Sequence, residues 1–132
     1  MSCIDFVVVS TYGVFVIDTK LEEGKISGEI GKREWNVGKK QTIYNPVWRN
    51  RAHVNGLGKA FGQLRYFTLV VFVNGRLKSD FGANVVELPG MLLFLKRHQR
   101  HILEPERCAE IIDILEKKQS RDYCPLPVFA LE

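Results

Sequence analysis

The sequence predicts an α/β domain, a mixed β-sheet flanked by α-helices. Three observations carry this expectation. The chain opens with two apolar runs rich in β-branched residues, IDFVVVS and GVFVIDTK, separated by the turn-like STYG. A nearly continuous apolar run, RYFTLVVFVN from Arg65 to Asn74, follows a helical pattern and reads as a central strand covered on both faces. The last third carries two helical patterns, and helices of that kind bury their apolar stripe against a sheet.

Taken in order, the first two runs form an antiparallel hairpin. LEEGK then leads into ISGEIG and REWNVGKK, where alternation and spaced glycines indicate short antiparallel strands. Asn45 and Pro46 open a helix in N-cap and N1 order, with Val47, Asn50, Val54, Leu57 and Phe61 along one stripe. Gly56, Gly58 and Gly62 weaken that helix and leave room for close packing on the sheet. A strand after a helix calls for a crossover, hence some parallel pairing. GRLKSDFGAN reads as a polar loop, NVVEL as a short strand and MLLFLKRHQRH as a helix turning basic at its end. Glu104 and Pro105 begin a last helix with acids early and Lys117 and Lys118 late, as the helix dipole favours. Residues 120–132 read as a tail or peripheral extension after a domain spanning 1–119, and Leu131 and Glu132 as a remnant of cloning.

The hairpin register matters most for function. With the turn centred on Thr11 and Tyr12, Ser10 pairs with Gly13, Val7 with Val16, and Asp5 stands opposite Asp18. Lys20 shares their face, with Val7, Val9, Val14 and Val16, while Ile4, Phe6, Val8, Phe15 and Ile17 fill the other. Opposed carboxylates in a buried sheet repel each other and require a cation. Lys20 supplies one charge, and a divalent metal with oxygen ligands would supply the rest. A one-residue slip would separate the carboxylates onto opposite faces. Spacing alone leaves a plainer reading open, in which Asp5 is a strand-edge acid and Asp18 and Lys20 an exposed pair, because acid-x-Lys is a common triplet.

At 132 residues, with 45% hydrophobic and 26% charged, the chain fits one globular domain. No segment reads as a membrane span, and the start lacks the basic n-region of a signal peptide, so a cytoplasmic protein is expected. Cys3, Cys108 and Cys124 have no disulfide or zinc spacing, and Cys108 falls on a helical stripe with Ile111, Ile112 and Leu115. The net charge of +4 favours a polyanionic partner. Basic residues gather at Lys32, Arg33, Lys39, Lys40, Arg49 and Arg51, and again in KRHQRH, where a solvated helix face explains them equally well. His98 and His101 lack a third ligand for zinc. Trp35, Tyr44 and Trp48 lie among basic residues, where a core role is commoner than base stacking. The sequence contains no phosphate-binding GxxxxGK[ST] loop, HExxH helix or GxSxG elbow.

Together these motifs resemble the nuclease-related domain, NERD, of the PD-(D/E)XK nuclease-like superfamily. IDFVVVSTYGVFVIDTK is similar to its acid, strand, glycine turn and acid-x-lysine core, and EEGKISGEIGKREW to the glycine and tryptophan hairpin that follows. NPVWRNRAHVNGL resembles its asparagine-proline helix and RYFTLVVFV its next strand. The resemblance covers roughly residues 4 to 115 and implies a restriction-endonuclease-like fold. It further implies magnesium or manganese held by Asp5, Asp18 and the Thr19 carbonyl, and a catalytic Lys20 acting on DNA phosphodiesters. Arg49, His53, Lys39, Lys40 and Arg51 are then the residues for nucleic acid. Family members usually carry a glutamate on a helix upstream of the first acid, whereas four residues precede Asp5, which suggests an uncovered hairpin and a homodimer formed through it. Arg49 stands where the family commonly has glutamine.

Overall fold

A tight turn at Thr11 and Tyr12 joins β1 (Phe6–Ser10) to β2 (Gly13–Lys20), with Ser10 opposite Gly13 and Val7 opposite Val16, the register the alternation predicts. Ser10 fastens the turn, its hydroxyl donating to the Gly13 carbonyl and accepting from the Tyr12 amide. Gly13 has a φ of 137°, and a Cβ there would lie 2.8 Å from the Phe67 ring and 3.1 Å from the Arg65 carbonyl. Glycine is therefore required on both conformational and steric grounds. The computed structural model describes residues 6–61, 65–97, 101–119 and 128–131.

The remaining elements are β3 (Gly24–Ser27), β4 (Glu34–Val37), β5 (Gln41–Tyr44), α1 (Pro46–Phe61), β6 (Tyr66–Phe72), β7 (Gly75–Leu77), β8 (Val85–Glu87), α2 (Leu88–Arg97), α3 (Pro105–Gln119) and β9 (Val128–Leu131). They form the expected α/β architecture, with mixed sheets and flanking helices consistent with a restriction-endonuclease-like fold. The strands divide into two sheets, β8-β6-β2-β1-β9 and β5-β4-β3-β7. The division falls where β2 and β6, paired in parallel, run on into β3 and β7, also paired in parallel. Lys20 faces Phe72 and Gly24 faces Gly75, so one chain advances four residues while the other advances three. The extra residue breaks the ladder beside Lys20, much as a bulge does.

The first sheet is buried on both faces. Val7, Val9, Val14 and Val16 meet Leu57 and Phe61 of α1 and Cys108, Ile111 and Leu115 of α3. On the other face Phe15, Ile17, Leu69 and Val71 pack with Phe94 of α2. Trp35 anchors the second sheet, stacked 4.0 Å from Phe81 and surrounded by Ile26, Val37, Val70 and Phe72.

Several expectations need revision. The polar stretch after Asn74 contains β7, because parallel pairing with β3 organises a segment of weak intrinsic preference. Within 120–132, residues 128–131 form β9, in parallel register with β1 and with Leu131 opposite Ser10. Because β9 takes the outer edge of β1 and α3 packs on β1, the uncovered hairpin that suggested a homodimer is not found among the described residues. Gly56 and Gly58 do not serve close packing, since a Cβ at either would meet nothing within 4 Å.

These two kinds of glycine predict opposite outcomes in urea denaturation. Gly56→Ala should stabilise the fold by roughly 0.5–1 kcal/mol by removing backbone freedom from an exposed helix position. Gly13→Ala should destabilise it by more than about 1 kcal/mol, as alanine does where φ is positive.

Candidate nuclease site

The parallel pair β2–β6 supplies the floor of the site. Its seven register pairs run from Val14 opposite Tyr66 to Lys20 opposite Phe72, and Asp18 stands opposite Val70 near the end. Asp18 is 2% exposed, whereas Thr19 and Lys20 are half-buried as the strand leaves the core. Alternation puts Asp18 and Lys20 on the face of Val14 and Val16, which α1 covers.

Helix α1 begins where the sequence predicts. The Asn45 carboxamide oxygen accepts from the Val47 and Trp48 amides at 2.9 and 3.2 Å, an N-cap, and Pro46 occupies the first helical position. The Asn45 side-chain nitrogen donates to the Ile30 and Lys32 carbonyls, tying the helix start to the loop before β4. Further along, fully buried Asn50 donates to the Val16 carbonyl at 3.1 Å and the Leu69 carbonyl at 3.4 Å. Tyr66 donates to the Leu57 carbonyl. As the helix advances from 50 to 57, β6 therefore recedes from 69 to 66, so α1 runs antiparallel to β6 and β2. Its first turn consequently overlies the end of β2 that carries Asp18 and Lys20.

This geometry gathers some of the expected residues and separates others. Arg49 lies half-buried in the first turn of α1, and His53, 7% exposed, lies one turn further along. Arg49 belongs to the end of the helix over Asp18, whereas His53 lies past Asn50, whose side chain reaches the Val16 carbonyl, and so further along β2 from Lys20. Arg51 is exposed on α1, and Lys39 and Lys40 are exposed in the β4–β5 turn. That turn is separated from the helix start by the four residues of β5, roughly 13 Å of strand. Asp5 and His98 lie outside the described residues. His101 is engaged at the β1–β2 turn, with its Nδ1 2.7 Å from the Thr11 hydroxyl and its ring 4.6 Å from Tyr12. Cys108 packs in the core, where burial pushes its thiol up, away from thiolate chemistry.

Two polar groups were not singled out by sequence. Asn50 reads there as one position of an apolar stripe, yet its carboxamide joins α1 to both strands of the site and its Oδ1 is buried without a hydrogen-bond partner among the described residues. Glu22 follows Lys20 by two residues, in the break between β2 and β3, and its Oε2 is likewise buried and unpartnered among the described residues. Alternation could have suggested Glu22, but the depth of its carboxylate depends on the irregular crossing.

A family model for the nuclease-related domain matches residues 2–73, more than half of the chain and the whole segment from β1 through β6. The chain belongs to the nuclease-related domain family. That family lies in the PD-(D/E)XK-like nuclease superfamily. Comparison with curated proteins and with solved structures gave no match. In this nuclease-related domain, a buried carboxylate beside a half-buried lysine, with an unpartnered carboxylate oxygen on Glu22, suits a hard divalent cation with oxygen ligands. Among the described residues, no three His, Cys, Asp or Glu side chains converge as a metal set. No described helix is long and apolar enough to cross a membrane.

The Asn50 bridge predicts a graded loss of stability. Asn50→Ala should cost about 1–3 kcal/mol in urea denaturation. Asn50→Asp should cost more, because it would set a buried carboxylate against two carbonyl oxygens.

Proposed function

We propose that this nuclease-related domain hydrolyses phosphodiester bonds in DNA with magnesium or manganese. The observation that carries the reading is Asp18, a carboxylate buried to 2% exposure, two residues before Lys20 on the face of β2 that α1 covers. A hard carboxylate oxygen held at the end of a core strand, two residues before Lys20, supports a role as a cation ligand.

In this reading Asp18, with Asp5 and the Thr19 carbonyl, would hold the metal. The ion, when bound, lowers the pKa of a coordinated water and offsets charge on the phosphoryl oxygens. Lys20 orients toward the scissile phosphate and stabilises the negative charge that grows in the transition state. Arg49 grips a phosphate oxygen from the helix start, its planar guanidinium suited to that geometry. His53, one turn behind Arg49, lines the same side, while Lys39, Lys40 and Arg51 attract the strand over a wider surface.

A second reading is a nucleic-acid-binding module without catalysis, and Arg49 supports it, because a cation in the first turn of α1 would oppose a metal at Asp18. The two readings separate in a plasmid-nicking assay with manganese. Native protein should nick DNA, and Lys20→Ala should lower the rate by roughly 100- to 1,000-fold, the usual effect of losing a group that stabilises transition-state charge. DNA affinity should change little, since it rests on several dispersed cations and falls steeply with salt. Salt-dependent binding without nicking would select the second reading, and no binding at low salt would reject both. Arg49→Gln should lower nicking and affinity together. Stronger manganese binding in that variant would show instead that the Arg49 charge opposes the metal.

A further inference from the structure

We propose that Tyr44, backed by Trp48, forms a stacking platform for one unpaired base of a single-stranded nucleic acid entering the candidate site. The proposal rests on the nuclease reading for its class of ligand and goes beyond it in selecting single strands. Tyr44 is the last residue of β5 and is 51% exposed. Its neighbour Ile43 packs inward beside Trp35, so alternation turns Tyr44 to the outer face of the second sheet. The Trp48 ring, from the first turn of α1, approaches at 6.2 Å and 73°, an edge-on contact that supports the tyrosine ring without stacking over it.

The platform is held by a fixed framework. Asn45, between the two aromatics, caps α1, donates through its side chain to the Ile30 and Lys32 carbonyls, and donates its own amide to the Arg33 carbonyl. Little order need therefore be acquired on binding. The same hydrogen bonds hold the backbone of exposed Lys32 and Arg33 beside Asn45, and half-buried Arg49 follows Trp48 in α1, so cations for the backbone of a bound strand lie on the segments that flank the platform. Glu34, opposite Tyr44 in the β4–β5 pairing, is the acid that borders the ring. A base within a duplex already has stacking partners on both sides, whereas an unpaired base can stack on an exposed ring. Tyr44 and the first turn of α1, which carries Arg49, are joined through Asn45 alone, so a base held at Tyr44 lies next to the start of that helix.

The test compares affinities of the full chain for three probes by fluorescence anisotropy: oligothymidine, an equally long abasic oligomer and a blunt duplex. Tyr44→Ala should weaken oligothymidine binding by roughly five- to a hundredfold, the usual value of one base-aromatic stack, and leave abasic and duplex binding within about twofold. Tyr44→Phe should retain most of the affinity, because it keeps the ring. Unchanged thermal melting of both variants would establish that the fold is intact, as expected for a half-exposed surface side chain. Equal losses on all three probes, or no loss on oligothymidine, would overturn the platform. Native protein that binds duplex but not single strands would overturn it while leaving the nuclease reading in place, whereas failure to bind any probe at low salt would overturn both.

Discussion

The parallel pairing of β2 with β6 is the constraint on which the other parts depend. Its register fixes which side of β2 faces α1, and Asn50 then locks the helix to carbonyls of both strands. Because the helix returns antiparallel over the pair, its capped start falls above the strand end that carries Asp18 and Lys20. The same pair, broken by one extra residue, continues as β3 and β7 and seeds the second sheet around Trp35. One strand pairing thereby positions the acid, the lysine, the arginine and the exposed aromatic surface.

The energetic tension of this arrangement lies at Asp18. The two faces of the first sheet are filled with valine, phenylalanine, leucine and isoleucine, and Asp18 enters that interior as one of few buried polar groups. A fold selected for stability alone would place an apolar residue there, because replacing buried charge by well-packed apolar side chains is often neutral or stabilising. The proposed role as a cation ligand would account for a charged side chain at such a place, and other polar groups lie on the adjoining segments. Lys20 sits where the strand emerges, Arg49 starts the covering helix, and Glu22 buries a carboxylate oxygen in the break between sheets.

Much of this was legible in the sequence, for physical reasons that differ by element. The hairpin register followed from period-two alternation joined to a turn that ends in Gly13, and the observed pairing of Val7 with Val16 matches it. Asn45 and Pro46 marked the start of α1 because capping chemistry is local. Cys108 read as core from its helical spacing. What stayed hidden depended on partners distant in sequence: β7 exists through β3, β9 through β1, and the split into two sheets through one extra residue between Lys20 and Gly24. Asn50 was obscured because a polar residue in an apolar stripe announces neither its partners nor its depth. The glycines of α1 misled for the opposite reason, since composition suggested a packing role that the open space around Gly56 and Gly58 does not support.

The central claim is that Asp18 is buried to bind a cation. It is tested most directly by thermal melting of native protein and Asp18→Asn across a manganese titration, with calcium as a second series. A ligand that binds only the folded state raises its stability in proportion to RT ln(1 + [L]/Kd), about 2.7 kcal/mol at a hundredfold excess over Kd. Native protein should show a saturable rise in melting temperature, and Asp18→Asn none. An equal response of the two proteins to manganese, or none in either, would contradict it.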